Sequence, residues 1–81
     1  MLETLRTILL QKGYIENLEG QFKKSFINKY GEIVSKSEVY LVGKKGLVVI
    51  DMLLDVDGCI ILSSEDRYIV REVEDLYDIL K

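Results

Sequence analysis

Apolar residues recur at Leu2, Leu5, Ile8 and Leu9, the spacing of one helical face, and Gly13 follows where a helix C-terminal cap belongs. This predicts a helix over residues 2–12. The stretch Tyr14–Gly20 keeps neither helical nor strand period and reads as irregular. Beyond it lie β-rich runs at Phe22–Ile27, Glu32–Val42, Leu47–Leu54 and Cys59–Leu62. Two of the breaks between them share one chemistry. Asn28-Lys29-Tyr30-Gly31 and Asp55-Val56-Asp57-Gly58 each open on a side chain that can cap a turn and close on a glycine that tolerates positive φ. Both suit a type I turn followed by a left-handed glycine, a common hairpin connection. Gly43-Lys44-Lys45-Gly46 is a third candidate turn. The residues around the two matching turns also echo each other, at a constant offset of 27 positions.

The chain's last part reads as a helix. Ser63 or Ser64 can cap it, Glu65 and Asp66 suit its positive end, and Ile69, Val70, Val73, Leu76, Tyr77 and Leu80 form one apolar stripe. Arg71 stands one turn from Asp75. A competing reading takes Ile15, Leu18, Phe22, Phe26 and Tyr30 as a second helical stripe, which invites comparison with winged-helix DNA binders. The hairpin cue at Asn28–Gly31, followed at once by Ile33 and Val34, favours strands. The expected fold is α+β: an antiparallel three- or four-stranded β-meander with one N-terminal and one C-terminal helix, forming a single domain over residues 1–81.

The run Leu47–Leu54 departs from the alternation of a half-buried strand. One side carries Val48, Ile50, Met52 and Leu54. The other carries Leu47, Val49, Asp51 and Leu53. Two short helices can cover one face of a small sheet, and little chain remains for the second. The expectation is that another molecule covers what is left, with one helix on each face as the alternative.

Composition narrows the chemistry. A content of 48% apolar and 31% charged residues is globular. No histidine is present, so serine or cysteine triads built on imidazole are excluded and acid–base work falls to carboxylate, lysine or tyrosine. One cysteine, Cys59, can make neither an internal disulfide nor a usual zinc set. Glu3, Arg6 and Lys12 interrupt the N-terminal apolar residues, unlike a signal peptide, and no segment reaches membrane-spanning length. A reducing, cytoplasmic location is expected, with no cofactor. Net charge is −3, distributed as −1 over residues 1–20, +4 over 21–45 and −6 over 46–81.

Three constellations remain. The string Leu53-Leu54-Asp55-Val56-Asp57-Gly58 resembles the first motif of the haloacid-dehalogenase-like phosphatases. That resemblance implies Asp55 as nucleophile and Asp57 as general acid/base. The family also requires a large parallel sheet and further motifs downstream, whereas only 19 residues follow Leu62. A hairpin turn is the favoured reading. As a calcium loop the same string places Leu53 and Ser64 where acidic ligands belong, so only a weak cation site at Asp55 and Asp57 would remain. The lysines Lys23, Lys24, Lys29, Lys44 and Lys45, interleaved with Phe22, Phe26 and Tyr30, suit a nucleic-acid surface, but the chain as a whole is acidic.

The leading expectation is therefore a non-enzymatic protein-binding module of regulator or inhibitor type. It would associate with itself and with a partner protein through Leu47, Val49, Asp51 and Leu53 and through an acidic helix face of Glu72, Asp75 and Asp78. The alternative is a nucleic-acid binder using the lysines of residues 23–45.

Overall fold

The computed structural model describes all 81 residues. The chain folds as α1 (Leu2–Gln11), β1 (Ile15–Leu18), β2 (Gln21–Ile27), β3 (Ile33–Val42), β4 (Gly46–Leu54), β5 (Ile60–Ile69) and α2 (Asp75–Ile79). All five strands form one antiparallel sheet in the order β1-β2-β3-β4-β5. This is the expected α+β meander, with five strands rather than three or four. Residues 21–27 are a strand, as the hairpin cue indicated, and the helical-stripe reading of residues 15–30 falls away.

The turn chemistry acts as its residue types require. The Asn28 side-chain oxygen accepts the N–H groups of Tyr30 and Glu32 at 2.9 and 3.1 Å. The Asp55 carboxylate accepts those of Asp57 and Cys59, both at 2.9 Å. Gly31 and Gly58 follow at φ 79° and 82°, where a Cβ would be strained. The two loops repeat each other's capping and backbone bonds, and because consecutive hairpins alternate ends, both lie at one end of the sheet.

At the other end the β3–β4 turn is tight for a steric reason. A Cβ added to Gly46 would sit 2.5 Å from the Val42 carbonyl oxygen. Gly46→Ala must displace that backbone and is expected to cost roughly 1–3 kcal/mol. A urea midpoint equal to that of the parent would contradict this close approach.

Two segments differ from expectation. Residues 15–18 form β1, an edge strand joined to β2 through Glu19 and Gly20, where irregular chain was expected. Residues 63–69 form most of β5, where the start of a long helix was expected, and α2 is confined to five residues. The β4 ladder explains the second difference. An unpaired β4 would leave a row of N–H and C=O groups without partners beside an apolar strand. Pairing from Gly46↔Ile69 to Leu54↔Ile60 satisfies that row. Helix-forming tendency, a small preference per residue, loses to it.

The core lies on one face of the sheet at the Gly46 end. Phe22, Val39 and Leu47 from the strands meet Leu5, Ile8 and Leu9 of α1, with Val70 and Leu76 from the C-terminal segment. Both helices thus pack on the same face, and the alternative of one helix per face does not hold. Inside this layer the Tyr14 hydroxyl donates to Ser37 Oγ at 2.9 Å, satisfying the one buried polar side chain.

A bidentate ion pair ties α1 to β1. Arg6 Nε and Nη2 donate to the two Glu16 carboxylate oxygens at 2.6 and 3.0 Å, and Glu16 also accepts the Gly20 N–H at 3.1 Å. The Arg6 hydrogen bond leads in holding the Glu16 carboxyl below the usual carboxylate range, with the Gly20 N–H adding to it. A carboxyl depressed by folding stabilises above its unfolded value and loses that contribution as pH falls through the folded one. Thermal unfolding should therefore show an acid limb that Glu16→Gln flattens, together with a lower midpoint at neutral pH. Parallel midpoint-versus-pH curves for parent and variant would exclude this role.

Candidate functional site

The ladders fix which side chains share a face. Phe22, Val39, Val49 and Asp66 form one row on the helix-bearing side. The next row toward the Asn28 and Asp55 loops is Lys24, Ser37, Asp51 and Ser64. The one beyond it is Phe26, Ser35, Leu53 and Leu62. The helices stop short of this last row. Phe26, Leu53 and Leu62 are 40, 47 and 66% exposed and line a shallow groove of about 250 Å³ with Ser35 and Ser64. This end continues into exposed Ile27, Ile33, Val56, Ile60 and Ile61.

The opposite face is covered by no element. Its centre is the β4 stripe Val48, Ile50, Met52 and Leu54, all half-buried. Charged and aromatic residues flank the stripe: Lys36, Glu38 and Tyr40 on β3, and Glu65 and Arg67 on β5. Glu38 accepts the Tyr40 hydroxyl and faces Lys23 Nζ at 3.8 Å, and Arg67 Nε meets Glu65 at 2.9 Å. Side chains of this length can cover apolar surface with their stems while their heads stay in water. The Glu38 hydrogen bond, with burial second, raises the Tyr40 hydroxyl pKa.

Area gives these open surfaces a scale. The chain exposes 5794 Å². A compact monomer of its 9.3 kDa would expose about 5000 Å². The excess of about 800 Å² matches what one partner contributes to a standard protein–protein interface. It follows from the shape: the molecule is 39 × 23 × 22 Å, and the sheet extends past its helices.

The expected partner-binding residues divide. Leu47 is completely buried and Val49 packs against the core, so neither is available to a partner. Asp51, beside the ends of both helices, and Leu53, beyond them on the same face, are exposed. The expected acidic helix face does not form. Glu72 precedes α2, and Asp75 accepts the N–H groups of Arg71 and Glu72 at 3.2 and 3.1 Å, so its carboxylate serves the turn. Asp78 is exposed in α2. The open β4 stripe, missed as a surface, was written in the sequence as the second apolar side of Leu47–Leu54. The β5 edge left no such signal.

The lysines of the alternative reading are dispersed. Lys23 and Lys24 lie on opposite faces of β2. Lys29 belongs to the β2–β3 loop, while Lys44 and Lys45 belong to the turn at the other end of the sheet. Lys24 Nζ donates to the Lys12 carbonyl and stands 4.9 Å from the centre of the Phe26 ring, and Lys29 Nζ stands 5.1 Å from that of Tyr30. Asp55, the nucleophile implied by the phosphatase resemblance, holds its own turn. The chain after it forms an antiparallel edge strand, in place of the parallel sheet that family builds.

No family model, curated protein or solved structure matches the chain.

Proposed function

We propose that this chain is a non-enzymatic protein-binding module of regulator or inhibitor type, acting in the cytoplasm by presenting an open sheet to protein surfaces, its own copies included. The observation that carries the reading is the one-sided packing. Both helices cover a single end of one face, the apolar β4 stripe of the other face lies under no element, and the chain exposes about 800 Å² more than a compact monomer of its mass. Two further features lend it support. The Asp55 carboxylate, which looks like a nucleophile in the sequence, is occupied in a turn, and the lysines that suit nucleic acid are dispersed over both faces and both ends of the sheet.

Sedimentation velocity from micromolar concentration upward tests the self-associating part. The weight-average mass is expected to rise with concentration toward a defined oligomer. A single monomer boundary at every concentration would overturn it.

A further inference from the structure

If the chain associates with itself, as that reading holds, one of its surfaces must accept a second copy. β5 is the last strand of the sheet, with β4 its one neighbour. It is ten residues long, and every residue from Ile60 to Arg67 is exposed. The Val70 N–H donates to the Lys45 carbonyl at 2.7 Å, which fixes the alternation along the strand. Even-numbered residues turn their backbone groups toward β4. Ser63, Glu65, Arg67 and Ile69 turn theirs outward, without a strand beside them.

Exposed edges are ordinarily guarded by charged side chains, proline, a bulge or short length. From Leu62 to Ile69 β5 has no proline or bulge, and its register with β4 is continuous. Its one guard is charge, Glu65-Asp66-Arg67 in sequence, and their order is one that a second copy can complement. Two copies meeting edge to edge and antiparallel are related by a two-fold axis perpendicular to the sheet, which passes through one residue position. An axis at Glu65 sets Glu65 against its own copy. An axis at Arg67 does the same for arginine. An axis at Asp66 sets Glu65 of each copy against Arg67 of the other, and is the one register within β5 that opposes unlike charges. Ser64 then faces Tyr68, Ser63 faces Ile69, and about eight outward backbone hydrogen bonds close. One like pair, Asp66 on the axis, is left.

We infer that a second copy of this chain adds at β5 with its axis at Asp66, fusing two sheets into one of ten strands. All four helices then lie on one side, and the two uncovered faces become a single continuous surface. The unlike-charge match, together with the outward row of backbone groups that such a copy pairs, is the evidence for this occupant.

Sedimentation velocity on charge variants tests this. The residues are exposed, and circular dichroism confirms that each variant is folded. Glu65→Arg alone and Arg67→Glu alone each place like charges together twice, and each is expected to weaken association by about tenfold or more. The double variant Glu65→Arg/Arg67→Glu restores both unlike pairs and should return to within a few-fold of the parent, while Asp66→Asn should tighten the dimer. Association untouched by the single reversals would place the contact on another surface, overturning this inference while leaving the binding reading intact. Loss in the single variants without recovery in the double variant would overturn the register. A parent that is monomeric throughout would overturn the second copy as occupant, together with the self-associating part of the proposed function.

Discussion

Leu47→Asp is expected to leave the chain unfolded at room temperature. Leu47 is completely enclosed by the core beneath the helices. An aspartate there would have to be buried charged or take up a proton, and either costs several kcal/mol. The whole domain has roughly 4–12 kcal/mol to lose, at the usual stability per residue. Leu53, three rows along the same face, is 47% exposed and beyond the helices. Leu53→Asp should cost less than about 1 kcal/mol. Far-ultraviolet circular dichroism and urea unfolding of the two variants read the difference. Equal tolerance at both positions would mean that the helices do not cover the Gly46 end of this face.

Phe22→Ala is expected to be nearly as damaging. Phe22 is completely buried, and truncating an enclosed aromatic side chain costs roughly 3–5 kcal/mol in lost burial and residual cavity. Few other residues can compensate, because the core cluster holds eight side chains. For a domain of this size each kcal/mol moves the thermal midpoint by roughly 4–8 °C, so a fall of more than about 12 °C is expected. A shift of only a few degrees would show that the core is organised elsewhere.

The two substitutions also mark where the sequence was legible. The centre of the sheet could be read because its residues are constrained on more than one side. β2, β3 and β4 each have neighbours on both edges, and their turns carry side chains that must cap them, as Asn28 and Asp55 do. The edges could not be read. β5 is exposed on both faces over most of its length, so Ser63–Arg67 feels no burial pattern and shows no alternation. The serines and acids of that stretch also fit a helix start, and the apolar residues after it happen to fall at helical spacing. What decided its fate was the need of β4 for a partner, a constraint that sits some fifteen residues away in the chain. β1 was missed for the same reason, since it is an edge strand of four residues with Ile15 and Leu18 exposed.

The candidate surface was half legible. Two apolar sides of β4 pointed to more greasy surface than the chain could cover, and one-sided helix packing agrees with that. Which side would stay open depended on where α1 lands. Nothing within Leu47–Leu54 encodes that choice, and the side expected to be open, with Leu47 and Val49, is the covered one. The acidic face of Glu72, Asp75 and Asp78 failed along with the long helix that would have aligned it.

Residue-resolved amide exchange by nuclear magnetic resonance, recorded at low and high protein concentration, tests the account at its centre. The outward amides of Ser63, Glu65, Arg67 and Ile69 should exchange freely when dilute and become protected as concentration rises, while the inward amides of β5 stay protected throughout. If those four amides exchange at unprotected rates at every concentration, or are already protected in the dilute monomer, β5 is not the open edge through which this chain acts.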